Sequence, residues 1–398
     1  MRAFKKLIPV FDESGRFVFK SDFKEAVWDG FELSADEVPS EDNENGIYAL
    51  FDPEDEQLDG YDGVLVELDT YGVVIVGERG LRAEHARIIS WDEAGIAYYY
   101  ACLFGPSDVS RAAACASPQW AYKYAVNVDR APHDSTRAAA CKSPRLAYLY
   151  ALHVDYAPRD DTRAAACRDA EYAYWYALTV DRRARKDTRA AACKSPKWAY
   201  EYACDVDRRA RKDTRTAACG DAEWAYLYAL HIDNVPHDDT RAAACGDAEW
   251  ACEYARNVDR QARDDTRAAA CRSPLWAYRY ARDIDSAPRD DTRAAACMSP
   301  EQAYWYALNV DRAPRCDTRT AACRDAEWAY KYARYVDCAA RDDTRAAVRK
   351  SPRLAYLYAL HVDRAPHDDT RAAACRDVEW AYKYARDVDR VKIICPAD

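Results

Sequence analysis

The sequence predicts a mainly α protein: an α-solenoid of eleven 26-residue two-helix repeats behind a small β-rich or α+β N-terminal domain. Three observations carry this reading. Arginine recurs at Arg111, Arg137, Arg163, Arg189, Arg215, Arg241, Arg267, Arg293, Arg319, Arg345 and Arg371, every interval being 26 residues. Aspartate keeps the same interval from Asp129 to Asp389, and such a fixed period is the mark of a stacked-repeat architecture. The composition also breaks near residues 91–110. Through Gly95 there are 9 Lys+Arg against 23 Asp+Glu, a net of −14; the remainder has 49 against 45, a net of +4. Ten of the 12 glycines lie at or before Gly105.

In chain order, residues 1–91 form the small acidic domain. Phe17–Phe19, Gly46–Phe51, Gly63–Leu68 and Tyr71–Val76 read as strands bounded by Gly, Asp and Glu. The acidic run Ser34–Asp62 reads as loop, and Arg82–Ile89 as a last strand or a short helix. Residues 92–109 read as a capping helix and linker, since Ala97–Ala101 carries the Ala-Tyr-x-Tyr-Ala pattern of the array. The array spans 110–390, and 391–398 leave its pattern as a tail.

Each repeat predicts two helices. Thr162 or Asp161 is the expected cap of a short Ala-rich first helix over Arg163–Cys167. Ser143 or Asp169 is the expected cap of the second, with Pro144 at the first helical position, where its missing N–H is harmless. Where Ala170 replaces Pro, Glu171 suits the positive helix start. The second helix should end near Asp155, with Pro158 forbidding continuation. At 100° per residue, Trp198, Ala199, Tyr202, Ala203 and Val206 share one apolar stripe about 140° wide. A single repeat cannot bury that stripe, and stacking does.

The columns that recur along the array are candidates for chemistry. Cys115, Cys141, Cys167, Cys193, Cys219, Cys245, Cys271, Cys297, Cys323 and Cys375 form one. Stacked helices about 8–10 Å apart separate neighbours beyond disulfide reach. Zinc sites pair cysteines two to four residues apart, and Arg349 interrupts the column, so these read as small packing residues. The Arg and Asp columns read as an internal ladder, first-helix start to second-helix end, rather than a charged binding stripe. Tyr122, Tyr148, Tyr174, Tyr200, Tyr226, Tyr278, Tyr304, Tyr330, Tyr356 and Tyr382 flank the stripe and read as half-buried packing. The histidines recur by duplication, His153 with His231 and His361, His133 with His237 and His367, and converge on no common place.

The varying positions point outward. An i, i+3 pair on the second helix is apolar at Leu149 and Leu152, Trp175 and Leu178, Leu227 and Leu230, Trp305 and Leu308, and Leu357 and Leu360. It is polar or mixed at Lys123 and Val126, Glu201 and Cys204, Glu253 and Arg256, Arg279 and Arg282, Lys331 and Arg334, and Lys383 and Arg386. Apolar pairs on an outer face suggest a partner, and those ten residues are the expected contact set.

Two segments carry a resemblance. Asn45-Gly46-Ile47-Tyr48-Ala49, Val64-Leu65-Val66-Glu67-Leu68 and Gly80-Leu81-Arg82-Ala83-Glu84-His85-Ala86-Arg87-Ile88 resemble a small domain of phage and bacterial proteins, with Leu81 and His85 standing where that family has aromatics. The tandem Ala-Tyr-x-Tyr-Ala units are similar to helical repeats of phages and environmental bacteria. No activity comes with the resemblance.

The expected function is a non-enzymatic scaffold presenting an extended helical surface to a protein partner. One alternative is nucleic-acid binding through Tyr and Arg, which the array's net of +4 disfavours. The other is an N-terminal nucleotide-dependent transferase using Glu84, near Arg82, His85 and Glu67, with the solenoid selecting substrate. No phosphate loop, nucleophile elbow or metalloprotease motif occurs, so no catalytic residue, cofactor or metal is assigned. Met1–Arg16 lacks the apolar stretch of a signal peptide, and no run of about 18 apolar residues spans a membrane, so a cytoplasmic protein is expected.

Overall fold

The computed structural model describes residues 1–11, 17–20, 27–28, 32–34, 47–52 and 63–390. Gly46, most of the acidic run read as loop, and the 391–398 tail lie outside the described residues. The chain divides into two compact units, residues 1–192 and 193–398.

The first begins with a β-domain whose pairings close on themselves. Strand β1 (Arg2–Phe11) pairs with β2 (Phe17–Lys20), which pairs with β3 (Val27–Trp28). Strands β4 (Glu32–Ser34) and β5 (Ile47–Leu50) both lie against β7 (Gly80–Trp91), and β6 (Val64–Val76) runs along β7's other side. Because β1 pairs with both β6, Arg2↔Asp69 through Leu7↔Val64, and β5, at Phe4↔Leu50, the antiparallel ring β1–β6–β7–β5–β1 is complete. Closure leaves none of these four strands at an edge, while among the described residues β3 and β4 each pair on one side only. Inside lie Ala3, Leu7, Val66, Leu68, Leu81, Ala83, Ala86 and Ile88. A Cβ on Gly80 would overlap the Ala49 carbonyl, so only glycine lets β5 and β7 approach there.

Strand β1 escapes sequence reading because Lys5 and Lys6 interrupt its apolar run. The two strands read over 63–76 are one, bent by irregularities at Glu67/Leu68 and Tyr71/Val74, and Arg82–Ile89 is strand. Helix α1 (Glu93–Phe104) follows at once; Asp92 caps it, accepting from the Ala94 and Gly95 N–H groups at 3.0 and 3.4 Å, and also accepts from the Trp120 indole. Thus one carboxylate ties the β-domain's exit to the first repeat.

From Asp108 onward the helical pairs repeat through both units, making the α-solenoid the period predicts. Residues 134–155 show the pattern. The first helix is Asp134–Ala140 and the second starts at Pro144, with Ser143 accepting from the Leu146 N–H at 3.4 Å. Asp169 caps its equivalent from two N–H groups. Two expectations are corrected. First helices start two residues before the threonine, which is not their cap: the Thr162 hydroxyl instead donates to the Arg159 carbonyl at 3.3 Å. The second helix also widens after Tyr150 into a π-helical turn, Ala151–Asp155, as in units before and after it.

What stops each second helix is a left-handed residue rather than the later proline. Arg130, Tyr156, Arg182, Arg208, Asn234, Arg260, Ser286, Arg312, Cys338, Arg364 and Arg390 have φ between 49° and 57°. An L side chain other than Asn resists this conformation, and glycine does not. Tyr156→Gly and Arg260→Gly are therefore expected to stabilise by about 0.5–1 kcal/mol each, read as a raised denaturant midpoint; Asn234→Gly should gain least. Unchanged midpoints for all three would show that the turn is unstrained.

Candidate binding face

Each repeat has an interior built on an arginine, an aspartate, a tyrosine and a threonine, the last replaced by Ser110 in the first repeat. Arg267 donates from Nε to both oxygens of Asp285 at 3.1 and 3.0 Å and from Nη2 to Oδ1 at 2.8 Å, while Nη1 reaches Asp264 at 2.7 Å. The Arg267 and Asp285 side chains are 6% and 0% exposed. The guanidinium lies over the Tyr280 ring, 5.8 Å from its centroid. The Tyr280 hydroxyl meets Thr266 Oγ1 at 2.8 Å, accepts from the Arg263 N–H at 2.9 Å and donates to the Arg263 carbonyl at 3.1 Å. A tyrosine of the second helix therefore caps the first. The same contacts recur around Arg137, Arg163, Arg241 and Arg293. The ladder reading of the Arg and Asp columns holds, and Arg137, Arg163, Arg241, Arg267 and Arg293 are buried in it.

Between consecutive repeats of the second unit lies an aromatic seam. Tyr226 stacks on Trp250 with centroids 5.5 Å apart, and Tyr200–Trp224, Tyr304–Trp328 and Tyr356–Trp380 repeat the contact at 5.4–5.7 Å. Six of the tyrosines are buried more deeply than expected, Tyr174, Tyr226, Tyr278, Tyr304, Tyr330 and Tyr356 being 5–7% exposed; Tyr122, Tyr148 and Tyr200 are half-buried, and Tyr382, which has no following repeat among the described residues, is 50% exposed. Their hydroxyls bond across the seam: Asn257 and Asn309 donate to Tyr226 and Tyr278 at 2.8 Å, and His153 and His231 meet Tyr122 and Tyr200 at 2.8 and 2.9 Å. This polar link, always 31 residues apart, was missed in the sequence because its second member varies among Asn, His, Thr and Asp.

Outside the seam lie the varying columns. All ten candidate partner-binding residues are half-buried. Leu149 packs beside Tyr122 and Val126; Leu227 and Leu230 pack around Tyr226 and Trp250; Trp305 and Leu308 pack against Trp328; Leu357 and Leu360 pack beside Tyr356 and Trp380. Each rests its inner side on the seam and keeps an outer side in solvent. In four repeats with a basic residue at the first position of the pair, the cation lies over the tryptophan: Lys123 over Trp120 and Arg279 over Trp276 at 4.5 Å, Lys331 over Trp328 at 3.9 Å and Lys383 over Trp380 at 4.0 Å; Arg256 instead pairs with Glu253 and Asp283. Within each of the two units, each position forms a column that is apolar in some repeats and charged in others.

The remaining candidates are placed elsewhere. On the β-domain, Glu84 accepts from the Val73 N–H at 3.0 Å, His85 stacks on Tyr71 at 5.1 Å, and Glu67 binds Arg2 and Ser90 at 3.0 Å. An open depression of about 730 Å³ is lined by Arg209, Ala210, Arg211, Lys212, Asp213 and Thr216. The column cysteines end the first helices, half-buried except for the exposed Cys375, and burial pushes the thiols of Cys141, Cys219, Cys245, Cys271 and Cys297 up to about 11. No group of metal-ligating side chains occurs among the described residues. No helix among them is long and apolar enough to cross a membrane.

The thiol shift has two consequences. At pH 8, alkylation by iodoacetamide should be slower at Cys245, Cys271 and Cys297 than in the same peptides after denaturation, by on the order of a hundredfold in thiolate fraction; peptide mapping reads this, and equal rates refute it. A thiol pKa raised by folding means the unfolded chain loses its protons first. The associated stability is whole below the unfolded value and is lost as pH rises through the folded one, so the melting temperature should fall between about pH 9 and pH 11.

In comparisons with known proteins, the chain matches no family model, no curated protein and no solved structure.

Proposed function

We propose that this protein is a non-enzymatic scaffold whose second-helix face binds a protein partner. One observation carries the reading: on the second helices the tyrosine that recurs in every repeat, as at Tyr150, Tyr228 and Tyr306, is buried, while the i, i+3 pair that changes from repeat to repeat lies half-buried or exposed. The invariant arginines are engaged inside their units, so the periodic cation stripe that a nucleic-acid backbone would need is spent internally. An irregular order of apolar, acidic and basic pairs suits a partner of defined sequence rather than a uniform polymer. The likeness to phage and bacterial repeat proteins and a cytoplasmic location belong to the same proposal.

The test is affinity capture with the full chain, wild type beside a variant carrying Leu149→Ser and Leu152→Ser, with circular dichroism confirming that the variant folds. The expected result is a stoichiometric protein held by the wild type and lost from the variant. Equal recovery by both would remove this part of the face from the contact, and nuclease-sensitive material in place of protein would replace the reading with nucleic-acid binding.

A further inference from the structure

Five consecutive repeats of the second unit alternate strictly on this face: Arg279 with Arg282, Trp305 with Leu308, Lys331 with Arg334, Leu357 with Leu360, Lys383 with Arg386. In the three basic repeats a guanidinium lies on the seam tyrosine, Arg282 over Tyr278 at 5.2 Å, Arg334 over Tyr330 at 5.9 Å and Arg386 over Tyr382 at 5.7 Å. A guanidinium stacked in this way keeps its N–H edge for a carboxylate. The outer two hold one already. Arg282 donates to both oxygens of Asp283 at 2.5 and 2.9 Å, and Arg386 to both of Asp387 at 2.7 and 2.9 Å. These contacts hold both carboxyls below their ordinary range.

The middle repeat differs by one residue. Tyr335 stands where Asp283 and Asp387 stand, 50% exposed, with its ring 5.1 Å from the Arg334 guanidinium. Arg334 donates to the Tyr330 hydroxyl at 2.6 Å, and no carboxylate reaches it among the described residues. On either side lie the apolar pairs Trp305/Leu308 and Leu357/Leu360, each half in solvent. Packed helices sit about 8–10 Å apart. A polyproline-II chain has three residues per turn and rises about 3.1 Å per residue, so its residues i, i+3 and i+6 share one side at about 9.3 Å spacing. A β-strand would turn alternate anchors away, because its side chains alternate faces.

From this, and resting on the scaffold reading, we infer that Arg334 receives the carboxylate of an acidic peptide in the polyproline-II conformation. Apolar residues three positions before and after that carboxylate are seated on Trp305/Leu308 and Leu357/Leu360. The charge-assisted contact sets specificity.

The experiment titrates fluorescein-labelled Leu-Pro-Pro-Glu-Pro-Pro-Leu amide with the full chain and follows anisotropy. Replacing Glu by Gln in the peptide, or Arg334→Gln in the protein, should weaken binding about tenfold, the worth of one charged hydrogen bond. Tyr335→Asp supplies internally the carboxylate found in the neighbouring basic repeats and should weaken the Glu peptide at least as much. Arg282→Gln, whose seat is already filled, should leave it unchanged. Circular dichroism melts establish that each variant is folded. Absence of binding by the Glu peptide, equal binding of the Glu and Gln peptides, or indifference to Tyr335→Asp would overturn the inference. A captured partner that ignores both Arg334→Gln and Tyr335→Asp would also overturn it while leaving the scaffold reading intact.

Discussion

Asp285→Ala should destabilise the second unit by about 3–5 kcal/mol, because it leaves a guanidinium buried without its counter-charge. Arg267 is 5% exposed, and three of its N–H···O contacts end on Asp285. Its fourth, to Asp264, reaches a fully exposed carboxylate in the first turn of its own helix and cannot replace a buried partner. A loss of that size in a stacked array opens the affected repeat and its neighbours before the rest. Hydrogen exchange should therefore accelerate at residues 264–285 ahead of the ends of the unit. The paired replacement Arg267→Met with Asp285→Leu should recover most of the loss, since a well-packed apolar pair has no desolvation penalty. If Asp285→Ala melts like the wild type, the ladder contributes geometry without stability.

Tyr254→Ala is expected to cost about 3–5 kcal/mol, the usual range for deleting a buried aromatic ring. The ring is 0% exposed and packs with Ala229, Ala244 and Tyr226. Tyr254→Phe separates the two roles of the residue. It keeps the ring and removes a hydroxyl that serves the His237 N–H at 3.1 Å, the His237 carbonyl at 3.1 Å and Thr240 at 2.9 Å. Orphaning buried polar groups costs about 1–3 kcal/mol. Tyr226→Phe, which loses only a contact from Asn257, should cost less. Denaturant melts of the three variants order these effects, and equal costs for the two phenylalanine variants would contradict the capping role of Tyr254.

The partner of Asp285 is legible in the sequence, whereas the contacts of the Tyr254 hydroxyl are not. The 26-residue period, Ser143 and Asp169 as caps, Pro144 at a helix start, and the pairing of Arg with Asp across 18 residues all follow from residue type and spacing, because each depends on neighbours within one repeat. The β-domain was legible as strands but not as a ring: Lys5 and Lys6 conceal β1, and only the pairing of β1 with both β5 and β6 closes it. The second helix ends at Asp155 as its sequence implies, but what stops it, and where the first helix starts, differ from the reading because tertiary contacts outweigh local preference. Arg130 and Tyr156 adopt a left-handed turn that their own chemistry resists, and Thr162 serves a carbonyl and a tyrosine hydroxyl instead of a cap.

By itself, then, the sequence determined the architecture, the composition of the stripe each repeat buries, and the positions free to vary, since periodicity and burial are encoded residue by residue. The tertiary structure decided which of the varying residues face solvent and how far. It half-buried Leu149, Trp175 and Leu357 against the seam, placed cations on aromatic rings, and left Arg334 without the carboxylate that Arg282 and Arg386 possess. The physical reason is that these properties belong to the gap between one repeat and the next. A gap's shape and charge depend on residues 26 to 31 positions apart, which no local pattern joins.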